Sequence, residues 1–405
     1  MVDTDLDDMF SPSATADPYS YFGYLRELSP VYWNKRYQVW VVTGYDDVTY
    51  VLRHPELFSS AFWKNDPIGA FPPIRPEDED HYHFATNVIS KFTNQLDSPD
   101  HMRIRKAIHS YFSPNAVERW RPLVRDVIKN LLNEIRGKNN VDLMAEFATP
   151  LPVMIISRFL GIAEKDKDAL HWFSKQLRFI ARTDEDRMKS LAGGIKDLSR
   201  EIEKEVSYRE KKKTNDLLSM MVRAHEEGIY SRDEVVANAM FILFAGHETT
   251  INLICNGVLA FIGSPDEWER LKQDGNTVYS ATEECLRYEP PVKRVQRLST
   301  SDILLGGKTI KKNQRVFAVI SSANRDPEKF HRPDVFNISR HPNPHIAFGG
   351  GVHHCLGVSL ARMEGQECFM ALANKVESMD VQTGSLQYQP SFNVRSLKSL
   401  PINWS

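Results

Sequence analysis

The ten residues Phe348-Gly349-Gly350-Gly351-Val352-His353-His354-Cys355-Leu356-Gly357 constrain this chain more than any other stretch. They set one cysteine in a glycine-lined loop, and the apolar spacing that follows predicts a helix over residues 356–376. Sulfur is a good metal ligand only when ionised, and backbone N–H groups and the positive end of a following helix favour the thiolate. Gly349, Gly350 and Gly351 can take backbone conformations closed to other residues, while Gly357 lets the new helix lie close to a planar ring. The arrangement suits a thiolate bound to a flat metal cofactor. A buried structural cysteine in a glycine-rich turn is the plainer alternative.

The stretch resembles the cysteine-ligand loop of the cytochrome P-450 superfamily, the haem-thiolate monooxygenases. Phe348, Gly349, Gly351, His353, Cys355 and Gly357 fill every fixed position of that pattern. The resemblance implies heme b (iron protoporphyrin IX) as cofactor, Cys355 as metal ligand, and Phe348, Gly349, His353 and Gly357 around the ring. A thiolate on haem iron favours O–O cleavage, where a histidine ligand suits reversible oxygen binding. The implied fold is mainly α with a smaller β-rich portion, a single large domain over residues 1–405 with a long central helix.

Three distant segments bear on this reading. The first is Ala245-Gly246-His247-Glu248-Thr249-Thr250, inside an apolar run that opens with the capping box Ser231/Glu234 and predicts a helix to about Gly263. Val235, Met240, Leu243, Ile251, Ile254 and Val258 make that helix apolar almost all round, as in the middle of a large core. Small Ala245 and Gly246 leave room beside it, and the Thr249 hydroxyl can compete for a backbone carbonyl. By the resemblance this is the oxygen-binding groove, with Glu248 and Thr249 as the acid and alcohol of proton delivery. The plainer alternative is a threonine and a glutamate satisfying each other in a core.

The second is Glu284-Cys285-Leu286-Arg287, on a helix expected over Val278–Tyr288 and stopped by Glu289-Pro290-Pro291. Such a pair on an exposed helix face contributes under about 1 kcal/mol. The resemblance gives it a structural role with a third residue ahead of the cysteine loop, and Arg340 is the candidate. The third is Asp97-Ser98-Pro99-Asp100-His101-Met102-Arg103-Ile104-Arg105, where Asp97 or Ser98 can cap and Pro99 can open a helix. His101 and Arg105 then share a face. The resemblance assigns them to the haem propionates with Arg297 and His353, although Arg294 could take the place of Arg297. An exposed basic helix face is the alternative for His101 and Arg105.

The chain has 405 residues, 41% hydrophobic and 26% charged, enough for a large core, with no repeat or linker that divides it. Residues 31–33 and 38–42 read as a hairpin, and residues 45–53 as a helix. A strand pair is expected across Gly306-Gly307, with residues 315–320 extending its sheet, and residues 64–82 read as a Pro-rich acidic loop. The net charge of −2 implies no general attraction to nucleic acid or to an anionic membrane. The acidic start has neither a basic segment nor an apolar run, so a cytoplasmic protein without membrane anchor is expected. Cys255, Cys285 and Cys368 lie on predicted helices as small core residues, with no disulfide or zinc spacing.

No flavin or iron–sulfur motif occurs in the chain, so electrons are expected from a ferredoxin or flavodoxin with its NAD(P)H-dependent reductase, docking near Arg103, Lys106 and Arg362. O2 and a small, largely apolar organic substrate complete the expected partners of a monomer. By analogy the substrate pocket draws on residues 62–92, 172–179, 241–249, 292–295 and Phe392, though each aromatic there is as readily packing. A peroxide-driven peroxygenase and a non-catalytic haem protein are the alternatives. A hydrolase lacks any Gly-x-Ser-x-Gly, and a zinc site at His345, His353, His354 and Cys355 has three adjacent residues that rarely close one tetrahedron.

Overall fold

The computed structural model describes residues 6–66, 74–162, 186–381, 386–389 and 393–405. The chain forms two compact units, neither of them one continuous stretch. The first holds residues Met1–Pro72, Asn256–Cys355 and Leu386–Lys398, and the second Pro73–Cys255, Leu356–Ser385 and Ser399–Ser405. Among the described residues the helices of two turns or more are α1 (Pro18–Leu28), α2 (Tyr45–Arg53), α3 (Glu79–Ile89), α4 (Asp100–Ile108), α5 (Arg121–Glu134), α6 (Pro150–Leu160), α7 (Arg187–Lys211), α8 (Leu217–Glu226), α9 (Arg232–Ile262), α10 (Pro265–Gln273), α11 (Val278–Tyr288) and α12 (Val358–Ala373).

The first unit is built on a five-stranded sheet. Strands β1 (Val31–Asn34), β2 (Val39–Val42) and β3 (Phe58–Ser59) come from its first segment, and β5 (Val295–Ser299) and β8 (Arg315–Ala318) from its second, in the order β1-β2-β8-β5-β3. The β1–β2 hairpin sets Trp33 opposite Trp40, and β8 runs parallel to β2 and antiparallel to β5. Alternation along β8 divides the core: Val316 and Ala318 pack with Val48, Val51 and Leu52 of α2, whereas Phe317 and Val319 pack with Tyr21, Phe22 and Leu25 of α1. Both faces of β8 are covered, which is why its residues form an unbroken buried run.

That burial corrects one expectation. Strands β6 (Ile303–Leu305) and β7 (Lys308–Ile310) do pair across Gly306 and Gly307, both with positive φ, but as a two-stranded sheet of their own. A strand buried on both faces takes partners on both edges, and β8 finds them in β2 and β5 instead of the local hairpin. A second correction concerns residues 64–82. Phe62–Asn65 is a helical turn, Pro76–Asp78 a 3-10 turn, and Glu79 and Asp80 open α3, where acidic groups suit the helix start. Of that segment, residues 67–73 lie outside the described residues, as do residues 172–179 and Phe392.

The second unit is mostly helical. Its sheet places β10 (Pro401–Trp404) between β4 (Asn140–Asp142) and β9 (Met379–Val381). Helix α9 starts with the expected capping box: the Glu234 amide donates to Ser231 Oγ at 3.1 Å, and the Ser231 amide to Glu234 Oε2 at 2.7 Å. Val235, Met240, Leu243, Ile251, Ile254 and Val258 are all buried along it, whereas Phe241, Phe244 and Ala245 at its middle are only partly buried.

Candidate active site

Within the first unit the cysteine loop is closed on itself. The Cys355 amide donates to the Phe348 carbonyl at 2.9 Å, and Gly349 and Gly351 turn the chain at φ 72° and 63°. Gly351 is held for a second reason, since a Cβ there would stand 2.6 Å from the Leu52 carbonyl oxygen of α2. The loop is thus clamped against a helix that the fold supplies. His353, two residues before the cysteine, reaches Ser60 Oγ through Nε2 at 3.0 Å. Arg297 lies on β5 opposite Val316, is largely buried, and donates from Nη1 to the Gln296 carbonyl at 2.8 Å. Arg294 is three residues away, and its guanidinium lies 3.5 Å from the Phe317 ring centroid.

The structure brings Glu284, Arg287 and Arg340 together. Arg287 Nε and Nη2 each donate to Glu284 at 2.8 Å, and Arg340 Nε donates to Glu284 Oε1 at 3.1 Å. The remaining contacts escaped sequence reasoning. The Asn337 amide and Asn343 Nδ2 also donate to Glu284, while Arg287 Nη1 donates to the carbonyls of Asn324 and Pro333. Burial pushes the Arg287 guanidinium below its ordinary pKa, and the Glu284 carboxylate opposes that shift. Asn324-Arg325-Asp326-Pro327 carried the available signal. Asn324 Oδ1 also accepts the Ile346 amide at 2.9 Å, and Asp326 Oδ2 caps α2 by accepting the Tyr45 amide at 2.8 Å.

In the second unit, Pro99 occupies the N-cap of α4 instead of its first turn, without a side-chain cap, and the Asp97 carbonyl accepts the His101 amide at 2.9 Å. His101 is wholly buried and Arg105, one turn on, is half-buried, so the alternative of an exposed basic face does not hold for His101. Arg103 is committed elsewhere: its Nη2 donates to Glu234 at 2.7 Å and to Asp100 at 3.0 Å, and its Nη1 to the Ile229 carbonyl. Burial by itself would raise the Glu234 carboxyl, but the hydrogen bonds from Arg103 and the Ser231 amide hold it below its ordinary pKa.

At the middle of α9 the Thr249 hydroxyl donates to the Ala245 carbonyl at 2.7 Å, the local competition for backbone that its position suggests. Glu248 beside it is half-buried. Gly246 also meets a packing demand. A Cβ there would meet Ile156 of α6 at 3.2 Å, so its smallness lets two helices pack closely.

The residues fit the haem that the loop resemblance implies. Gly357 is followed by α12, and a Cβ on it would meet no heavy atom within 4 Å, which leaves that side of the helix entrance open. His101 and Arg105 in the second unit, and Arg297 and His353 in the first, are donors of the kind that suits carboxylates. Cys255, Cys285 and Cys368 are fully buried thiols whose pKa burial pushes up, whereas Cys355 is partly exposed. Among the described residues no three His, Cys, Asp or Glu side chains converge to hold a metal ion, so the zinc reading has no geometry behind it.

Comparison with known proteins defines the class. The cytochrome P450 family model matches residues 162–396, and the chain belongs to that family. It is a haem-iron monooxygenase acting on an organic substrate with O2 and electrons from a redox partner. Among its relatives, the biotin biosynthesis cytochrome P450 of Bacillus subtilis is 31% identical over 96% of each chain. The cytochrome P450 monooxygenase PikC of Streptomyces venezuelae is 32% identical over 96% of this chain and 91% of its own. The crystal structure of P450BioI in complex with hexadec-9Z-enoic acid ligated acyl carrier protein superposes with a TM-score of 0.87 at 29% identity, covering 97% of this chain and 99% of that one. Among the described residues no helix is long and apolar enough to cross a membrane.

Proposed function

We propose that Cys355 would be the thiolate ligand of a heme b, and that the chain inserts one oxygen atom of O2 into a small, largely apolar organic molecule. The observation that carries this reading is the closed loop, in which the Phe348 carbonyl meets the Cys355 amide at 2.9 Å between glycines of positive φ. When bound, the haem supplies oxygen activation, favoured by electron donation from the thiolate. The chain's own residues do the rest. His101, Arg105, Arg297 and His353 would bind its propionates, and Phe348, Gly349 and Gly357 would flank the ring. Arg294, whose guanidinium stacks on the Phe317 ring, leaves that role to Arg297.

Ala245 and Gly246 belong to the oxygen-binding segment, and Glu248 and Thr249 deliver protons to it. The Thr249 hydroxyl bound to Ala245 O supports this, because donating its one hydrogen to the helix backbone fixes the oxygen in place with lone pairs that can accept a proton for relay. Glu284, Arg287 and Arg340 keep the segment before the loop in place. The discontinuous make-up of both units supports a single folding domain over residues 1–405. The protein works as a cytoplasmic monomer, and a ferredoxin or flavodoxin with an NAD(P)H-dependent reductase supplies its electrons. The partner docks through Lys106 and Arg362 more than through Arg103, whose charge Glu234 and Asp100 already meet.

The absorption spectrum of the reduced protein under carbon monoxide tests the ligand. A strongly red-shifted Soret band is expected, and Cys355→Ala should abolish it; a band at the histidine-ligated position in folded parent protein would overturn the assignment. Thr249→Ala should keep the haem and waste electrons as peroxide. Unchanged product yield per electron would sink the proton-delivery role. Full turnover with peroxide alone and none with O2 and reductase would favour a peroxygenase.

A further inference from the structure

Glu283, the residue before Glu284 on α11, faces a different partner. Its Oε2 lies 3.0 Å from His345 Nε2, with the imidazole 3% and the carboxylate 26% exposed. On the other side of the ring, His345 Nδ1 accepts the Ala347 amide at 3.3 Å. An accepting Nδ1 leaves the hydrogen on Nε2, so the ring donates to Glu283 and its two neighbours select one tautomer. The chain then enters the cysteine loop directly. The His345 ring lies 6.2 Å from that of Phe348, the Gly349 amide donates to the Ile346 carbonyl at 2.9 Å, and the Phe348 carbonyl accepts the Cys355 amide.

We propose that Glu283 and His345 are positioning residues for the thiolate: they fix the Ala347 amide and the Phe348 ring, and so the carbonyl against which the Cys355 amide closes. This rests on the reading of Cys355 as the iron ligand. Two adjacent glutamates of α11 thereby divide the work. Glu284 holds the segment around Asn337, Arg340 and Asn343, and Glu283 holds the entrance to the loop itself. A hydrogen-bonded imidazole fixes rotation as well as place, which apolar packing at residue 345 would not. A partner acting one shell beyond a ligand is known to tune how firmly that ligand is presented.

The test follows the thiolate band of the reduced carbon monoxide complex over time in mild urea, with far-UV circular dichroism recorded in parallel. Glu283→Ala and His345→Ala should lose the band about five-fold faster than the parent, as one broken hydrogen bond predicts. Glu283→Gln, whose amide oxygen can still accept from Nε2, should stay within about two-fold. Should His345→Ala not fold, the two variants of the partly exposed Glu283 decide. Parental band lifetimes in Glu283→Ala, or band loss that only tracks global unfolding, would overturn the positioning role. A parent without the band overturns the ligand assignment, and a parent with the band beside unmoved variants overturns this inference alone.

Discussion

Glu118-Arg119-Trp120-Arg121 and Glu284-Cys285-Leu286-Arg287 share one spacing, and both pairs form with a nitrogen 2.8 Å from a carboxylate oxygen. The first is open to solvent on its glutamate side, Glu118 being 58% and Arg121 19% exposed, and Arg121 also reaches Glu367. The second is closed to water on both sides, 0% and 0%, and Glu284 has Arg340, Asn337 and Asn343 besides. In water two such charges gain little over their solvated state. In the core each depends on the other, because removing one leaves a charge without solvent or partner. Spacing therefore licenses the pair, while burial and third parties decide whether it holds a structure together.

The largest break in this contrast comes from Glu284→Ala, which should cost about 3–5 kcal/mol in urea unfolding and reduce haem retention. A loss no greater than that of Glu118→Ala would remove the contrast. Arg340→Ala should cost less, about 1–3 kcal/mol by the same measurement, because Glu284 keeps Arg287. Equal losses for Arg340→Ala and Glu284→Ala would mean that the three act as one unit.

Glu364 on α12 sharpens the comparison as a buried carboxyl whose Oε2 has no hydrogen-bond partner among the described residues. Burial pushes its pKa well above the ordinary 4.5, so the fold keeps it as the neutral acid. A pKa raised on folding means that its contribution to stability is whole below the unfolded value of 4.5 and is lost as pH rises toward the folded one. Glu364→Gln should thus gain melting temperature on the parent progressively from pH 4.5 upward. Parallel curves in scanning calorimetry across that range would show that the group does not titrate as described. The smallest effect belongs to Glu118→Ala, under about 1 kcal/mol and smaller still in high salt. A salt-independent loss would give that pair a packing role instead.

Local order was readable wherever neighbours in the chain settle it. The expected bounds of α2 and α11 agree with the structure, because apolar period, acidic start and proline stop act within a few residues. The Ser231/Glu234 cap was legible for the same reason. Pairing of β8 with β2 was not, since Val39 meets Arg315 and Val42 meets Ala318 from far along the chain and nothing in either strand names its partner. The pairing of Arg103 with Glu234, the packing of Ile156 on Gly246 and the bonds from Asn337 and Asn343 to Glu284 were equally hidden. Each depends on which helices meet.

For the candidate site the balance is similar. The cysteine, its glycines and the Thr249 position in an apolar helix stand close enough in sequence for their chemistry to be read there. His345 was met only as a possible zinc ligand, yet its imidazole joins α11 to the entrance of the loop, a relation created by the return of the chain to that helix. Sequence by itself determined the family, the thiolate loop and the helices with strong local signals, because a fixed short spacing carries their chemistry. Tertiary structure alone decided which charges lost their water and which partners replaced it, because burial is a property of the whole packed chain.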